Sequence, residues 1–284
     1  MSTQTPNKVF KLETDFQISC SLVTQASDVA DRFDRISVVY DETREPLDEE
    51  ALDKAALILS NDGCKQILEV GIGTGRIAKP LQQRGFDIVG VDLSKRMLAK
   101  AQLKGIQNLI IGDANHLPFE DKTVDAAVLA HVLHLLKDPA ETFGKLARVA
   151  RNEIVVFVRK RDDAPTFTAS NERGVLRQAF RKAAEEMGYA LPSRADAWRD
   201  RFRNETEFLS SFPPNELITI QDVDVVTTLG ERLSLLEKRA YGYPASIPDD
   251  TFQKVIERVK SSIDTEKEIR YRRVDQMGVW RLLH

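Results

Sequence analysis

The sequence predicts an α/β fold: a doubly wound, mostly parallel sheet with an N-terminal helical cap and a helical lid insertion. Three observations predict it. Short Val- and Ile-rich runs alternate with amphipathic stretches through the middle of the chain. Those runs are apolar on both sides of their alternation, as strands are when helices cover both faces of their sheet. Of the 284 residues, 42% are hydrophobic and 30% charged, enough for a packed core and too apolar for a wholly disordered chain.

In chain order, Asp28–Val38 and Asp48–Leu59 read as helices. They are joined by Val39–Leu47, which Pro46 keeps irregular. Strands follow at Gln66–Val70, Asp87–Val91, Asn108–Ile111, Val124–Ala130 and Glu153–Val158. Helices are expected between them near 75–84, 95–104 and 139–150. Ser94 is placed to cap the second, and Asp138, Pro139 and Glu141 to open the third. Pro80 fits the first poorly and predicts a kink. Beyond the fifth strand come a helix at Glu172–Met187, a strand at Leu217–Val226, helices near 227–240 and 249–263, and an extended segment at Glu268–Leu283. These divide the chain into an N-terminal cap (1–60), a ligand-binding core (61–160), a helical lid (161–215) and a C-terminal part of the sheet with its own helical insertion (216–284).

Composition narrows the function. The formal net charge of −3 provides no global positive field for nucleic acid or an anionic membrane. The two cysteines, Cys20 and Cys64, are too few for a disulfide scaffold, and no clustered Cys, His or Asp at ligand spacing suggests a metal. No apolar run approaches the ~20 residues of a membrane span, and the N-terminus lacks a secretory pattern. A cytoplasmic location is the expectation.

The most informative segment is Ile67–Gly75, ILEVGIGTG: a buried strand, the acid Glu69, then Gly71, Gly73 and Gly75 opening toward a helix. Glycines allow positive φ and close backbone approach, so such a loop can wrap a flat or anionic ligand. A dinucleotide fingerprint needs a glycine where this chain has Arg76, which disfavours an NAD-dependent dehydrogenase. Asp92 ends the second strand, suited to accept both hydroxyls of a ribose, and Asp113 follows the third, suited to an adenine amino group. Leu93 and Met97 could pack on the base. Three carboxylates at successive strand ends make a poor seat for pyrophosphate. They favour a cationic ligand with a ribose and an ammonium or sulfonium.

On these residues the chain resembles the class I S-adenosylmethionine-dependent methyltransferases, in the subgroup of ubiquinone/menaquinone-type methylases. ILEVGIGTG is similar to that family's first motif, VGVDLSKRMLAKA to its second-strand motif, and GDANHLPFEDKTVDAAVLAHVLHLLKDP to its third and fourth. The resemblance implies a seven-stranded Rossmann-like sheet and S-adenosylmethionine as methyl donor. It places Gly71, Gly73 and Gly75 at the methionine end, Asp92 at the ribose, Asp113 and Ala114 at the adenine, and His131 beneath the sulfonium. Phe33–Arg44 resembles the family's closing helix and loop, so Tyr40 would shield the methyl group and Arg44 pair with the methionine carboxylate.

No residue is assigned as a catalyst. His131 and His134 follow the fourth strand, where a histidine can act as a general base or simply pack. Among homologous chemistries, amino-directed DNA methylases carry an Asn/Asp-Pro-Pro-aromatic turn where this chain reads Ala130-His131-Val132-Leu133. Cytosine C5 methylation needs a nucleophilic cysteine that neither cysteine here supplies, so duplex DNA is not expected. Residues 159–203 hold eleven basic and seven acidic side chains. They read as a solvated face, or as a lid over an anionic substrate or an RNA. Trp198, Phe202, Phe208 and Phe212, interleaved there and just beyond, read as the lid's own core or the lining of an acceptor pocket. A small-molecule acceptor is the leading expectation. A tRNA-like substrate and a non-catalytic S-adenosylmethionine-binding regulator are the alternatives.

Overall fold

The computed structural model describes residues 29–160, 172–191, 205, 207–239 and 247–282. Trp198, Phe202, Cys20 and the basic residues at 161, 194, 199, 201 and 203 lie outside them. Helix α1 occupies 29–36, and two 3₁₀ turns at Ser37–Val39 and Asp41–Thr43 carry the chain to α2 (Glu49–Asn61). The core then alternates as expected: β1 (Gln66–Val70), α3 (Ala78–Gln83), β2 (Asp87–Asp92), α4 (Lys95–Leu103), β3 (Asn108–Ile111), β4 (Val124–Ala130), α5 (Pro139–Val149) and β5 (Ala150–Lys160). After it come α6 (Glu172–Glu186), a short helical stretch α7 (207–211), β6 (Glu216–Thr228), α8 (Leu229–Glu237), α9 (Asp249–Ser262) and β7 (Glu268–Arg281).

Local chemistry fixes the helix starts. Asp48, Ser94 and Asp138 each accept a hydrogen bond from the amide three residues on, at 2.8, 3.1 and 2.9 Å. Thr228 and Glu231 close a reciprocal capping box on α8. Pro80 does not fall where the pattern predicts: α3 begins at Ala78, although Lys79 N already reaches Gly75 O at 2.9 Å and Leu81 N reaches Ile77 O at 3.1 Å, the bond between these two being the one that Pro80 has no amide to make. Pro80 therefore stands in the first turn, where a missing amide costs least, and not in a helix interior.

The seven strands form one sheet in the order β3-β2-β1-β4-β5-β7-β6. β1 to β5 pair in parallel, and β7 runs antiparallel between β5 and β6. The order reverses between β1 and β4. The crevice outside the carboxyl ends of these strands is the place where open α/β sheets bind ligands.

Both faces are covered. Leu52 and Leu59 of α2 and Leu81 of α3 pack with Ile67, Ile88, Val128, Val155 and Phe157 on one side. Leu146 and Val149 of α5 pack with Leu68, Leu129, Ile154 and Val156 on the other. A third cluster joins α6, α8 and α9 through Phe180, Leu233, Phe252 and Val255. Each such buried side chain contributes about 1.5–3 kcal/mol. Phe208 belongs to the α5 face, not to the helical cluster: its ring lies 5.1 Å from Phe143 and 5.3 Å from Phe212. No described helix is long and apolar enough to cross a membrane.

Far from the crevice, at the start of β5, Glu153 is wholly buried, and its Oε2 has no hydrogen-bond partner among the described residues. Burial and the neighbouring Asp62 carboxylate push its carboxyl up to about 8. Between pH ~4.5 and 8 the folded chain holds a proton there that the unfolded chain releases, so stability falls as pH rises through that window. Glu153→Gln should remove this cost. Its melting temperature should exceed that of the wild type by several degrees at pH 8 and by little at pH 5, as read by calorimetry.

Candidate functional site

The glycine turn is built by backbone geometry. Gly71, Gly73 and Gly75 all have positive φ (70°, 57° and 76°), which side chains with a Cβ adopt only at a cost. The space around them differs. A Cβ on Gly71 would meet Val132 Cγ2 at 2.6 Å, and one on Gly75 would meet Ile106 Cδ1 at 2.4 Å, so these two need glycine for packing as well. Gly73 faces open space, with nothing within 4 Å of where a Cβ would stand. It is the glycine whose backbone a ligand can approach.

Asp92, at the end of β2, anchors the turn. Its Oδ2 accepts from Gly73 N and its Oδ1 from Ser94 N, both at 2.8 Å. Burial pushes its carboxyl upward, opposed by those amides. Glu69 on β1 is 2% exposed and its Oε2 has no partner among the described residues. Burial pushes its carboxyl up to about 8, with the Asp92 charge adding to the rise. A carboxyl held in this state beside an open turn favours a cation that would restore its charge. Asp113 follows β3 and accepts from Asn115 N at 2.9 Å, while Ala114 packs against the α5-side core. Leu93 is half-buried beside Asp92. Met97 is buried, with its amide on Ser94, and so backs the crevice wall from within.

The N-terminal cap closes on this turn through side chains that lie tens of residues away. Asp41 accepts from Thr74 Oγ1 at 2.5 Å and pairs with Lys104 at 2.7 Å, and Asp34 accepts from Ser94 Oγ at 2.5 Å. Tyr40 is half-buried, with the Arg44 guanidinium 4.6 Å above its ring and the Arg76 guanidinium close by. Arg76 also donates to Glu45 O at 2.6 Å. The structure thus brings Tyr40, Arg44, Glu69, the three glycines and Asp92 around one crevice, with Asp113 and Ala114 at the neighbouring strand end.

His131 ends β4 in a left-handed conformation, φ 57°, its amide bound to Phe157 O at 3.0 Å. Burial, then the charges of Arg159 and Arg76, hold its imidazole well below the ordinary histidine range, against the pull of Asp275. It is therefore neutral near pH 7. Its ring resonances should stay flat between pH 6 and 8 in a two-dimensional NMR titration, and an inflection near 6.5 would contradict the site as described. His134 lies one 3₁₀ turn on, its Nδ1 3.5 Å from Glu205 Oε2.

One group has no counterpart in the sequence reading. Glu45 lies between Tyr271, Arg159, Arg273 and Arg232, contacts that span the chain from the cap to β7. Arg159 was visible only as one of many basic residues, and Arg76 only as the residue that spoils a dinucleotide fingerprint. Nothing in local spacing could have joined them. Among the described residues no group of three His, Cys, Asp or Glu is placed to hold a metal.

Fold and site together define a doubly wound protein whose switch-point crevice is lined by carboxylates around an open glycine turn. Residues 68–158 match the model of a family described as a methyltransferase domain. An uncharacterized methyltransferase of Geobacillus sp. (strain WCH70) is 30% identical over 161 residues, 55% of this chain and 70% of that protein. An uncharacterized methyltransferase of Mycobacterium tuberculosis (strain H37Rv) is 35% identical over 88 residues, 31% of this chain and 36% of that protein. The demethylmenaquinone methyltransferase of Renibacterium salmoninarum is 29% identical over 136 residues, 46% of this chain and 57% of that protein. The matches to the last two thus span between about a third and somewhat over half of those relatives' length. The chain belongs to the class I S-adenosylmethionine-dependent methyltransferases.

Proposed function

We propose that the protein transfers a methyl group from S-adenosylmethionine to a small-molecule acceptor. One observation carries the reading: the buried, unpartnered Glu69 Oε2 and the Asp92 carboxylate flank a glycine turn with open space at Gly73. That arrangement suits a positively charged nucleoside. Gly71, Gly73 and Gly75 would hold the methionine end, Asp92 the ribose, and Asp113 and Ala114 the adenine, with Leu93 along the base and the buried Met97 behind it. Tyr40 and Arg44 would close over the reacting end, Arg44 or its neighbour Arg76 taking the methionine carboxylate. The demethylmenaquinone relative points to a small acceptor.

When bound, the sulfonium supplies a methyl carbon with a good leaving group already attached. The chain's own task is alignment. His131 forms the floor, the cap excludes water, and the acceptor atom must be brought to about 3–3.5 Å from the methyl group, in line with the breaking bond. A neutral His131 could take a proton from an acceptor that must lose one, and a soft carbon or sulfur nucleophile needs no base.

The test has two steps. Calorimetry with S-adenosylhomocysteine should show binding, and NAD should show none. Incubation with labelled donor should then place label in a metabolite extract and not in total RNA. No heat with S-adenosylhomocysteine would refute the donor assignment. Label in RNA would refute the acceptor class, and donor binding without label in either would turn the reading to a regulatory protein.

A further inference from the structure

The cluster around Glu45 is unbalanced in charge and in hydrogen bonds. Glu45 Oε1 accepts from Tyr271 at 2.5 Å and faces Arg232 at 3.7 Å. Its Oε2 faces Arg159 and Arg273, each at 3.3 Å. Asp275 Oδ1 takes Arg159 Nε at 2.9 Å, and its Oδ2 takes Arg273 Nε at 2.6 Å. Three guanidiniums thus meet two carboxylates whose four oxygens are all engaged. Arg273 is satisfied: it also donates to Pro46 O and Gln221 Oε1, and its side chain is 6% exposed. The other two are not. Among the described residues, Arg159 (37% exposed) makes no hydrogen bond through Nη2 and Arg232 (24% exposed) makes none at all.

Their place in the fold gives this surplus a meaning. Arg159 lies two residues beyond Phe157, whose carbonyl holds the amide of His131, so it stands at the carboxyl edge of β5, one strand over from the floor of the crevice. Arg232 reaches the same cluster from α8. An acceptor approaching the methyl group over His131 from the β5 side would meet the donors that both arginines leave without a partner among the described residues. Guanidinium forks match planar, two-oxygen anions.

We propose that the acceptor carries an anionic oxygen group, a carboxylate by geometric match, which docks on Arg159 and Arg232 beside His131. The inference rests on the methyltransferase reading and adds the substrate class to it. The two arginines determine acceptor specificity, and Glu45 and Asp275 are positioning residues that hold them in place.

The experiment uses the full chain saturated with S-adenosylhomocysteine. It is titrated at constant ionic strength with acetate and benzoate, with their neutral counterparts acetamide and benzamide, and with inorganic phosphate. The carboxylates should bind at least tenfold more tightly than the amides. Arg232→Gln should lower carboxylate affinity about tenfold while S-adenosylhomocysteine affinity and melting temperature hold, and Arg232→Lys should restore part of the loss. Arg159→Gln should act in the same direction. Tighter binding of phosphate than of either carboxylate would keep the anion site and replace the carboxylate assignment. Equal or absent binding of acids and amides, or an unaltered Arg232→Gln variant, would overturn the proposal. Absence of heat with S-adenosylhomocysteine itself would instead strike the donor assignment beneath it.

Discussion

Asp92→Ala should weaken S-adenosylhomocysteine binding by about 100-fold while the protein still melts cooperatively. In the proposed complex the carboxylate accepts both ribose hydroxyls. Hydrogen bonds to a charged group contribute about 1.5–3 kcal/mol each, so losing the pair costs about 3 kcal/mol or more, two decades in Kd. The same oxygens hold Gly73 N and Ser94 N at 2.8 Å, so the substitution also releases the turn that a ligand must approach. Asp92→Asn tests the charge separately. An amide has only one acceptor oxygen, and its NH₂ would face an N–H donor, so this variant should lose nearly as much as alanine. Calorimetry on both variants, beside thermal melts without ligand, makes the check. An alanine variant within threefold of the wild-type Kd would remove Asp92 from the site.

The second large effect concerns folding. Gly75→Ala should destabilise the protein by about 2–4 kcal/mol. A side chain at φ 76° costs about 1–2 kcal/mol. The new Cβ would also stand 2.4 Å from Ile106 Cδ1, a side chain buried in the core that cannot swing to solvent, and such overpacking costs about 1–3 kcal/mol. The melting temperature should fall by roughly 10 °C. Ile106→Val deletes the clashing carbon. The double variant Gly75→Ala/Ile106→Val should therefore be at least about 1 kcal/mol more stable than the two single effects summed, the backbone cost remaining. Strict additivity in denaturant melts would mean that the clash is absent.

These two predictions start from residues that the sequence alone singles out, and the reason is locality. A glycine turn between a buried strand and a helix, an aspartate at the next strand end, and Asp138 before Pro139 are patterns a few residues long. Their physics, positive φ and unpaired amides, is settled within those few residues. Pro80 shows the limit of that resolution. Its fit depends on whether the helix starts at 75 or 78, and the amide that Pro80 lacks is itself the break between the turn that Lys79 N closes on Gly75 O and the helix proper. Phe208 shows another limit. An aromatic residue near a charged stretch can pack on either of two cores, and it joins Phe143 because α7 lies over the α5 face.

The cluster of Glu45, Arg159, Arg232, Arg273 and Asp275 was not legible. Its hydrogen bonds and ion pairs join the cap to β5, α8 and β7, across as many as 228 positions. It exists only because β7 enters antiparallel between β5 and β6, setting Asp275 opposite Arg159. The sequence by itself determined the alternating core, the glycine turn and its carboxylates, because burial pattern and backbone strain act over a few neighbours. Tertiary structure alone decided which arginines share which carboxylates and which are left with donors to spare. Charge balance in such a cluster is a sum over groups that chain order does not bring together.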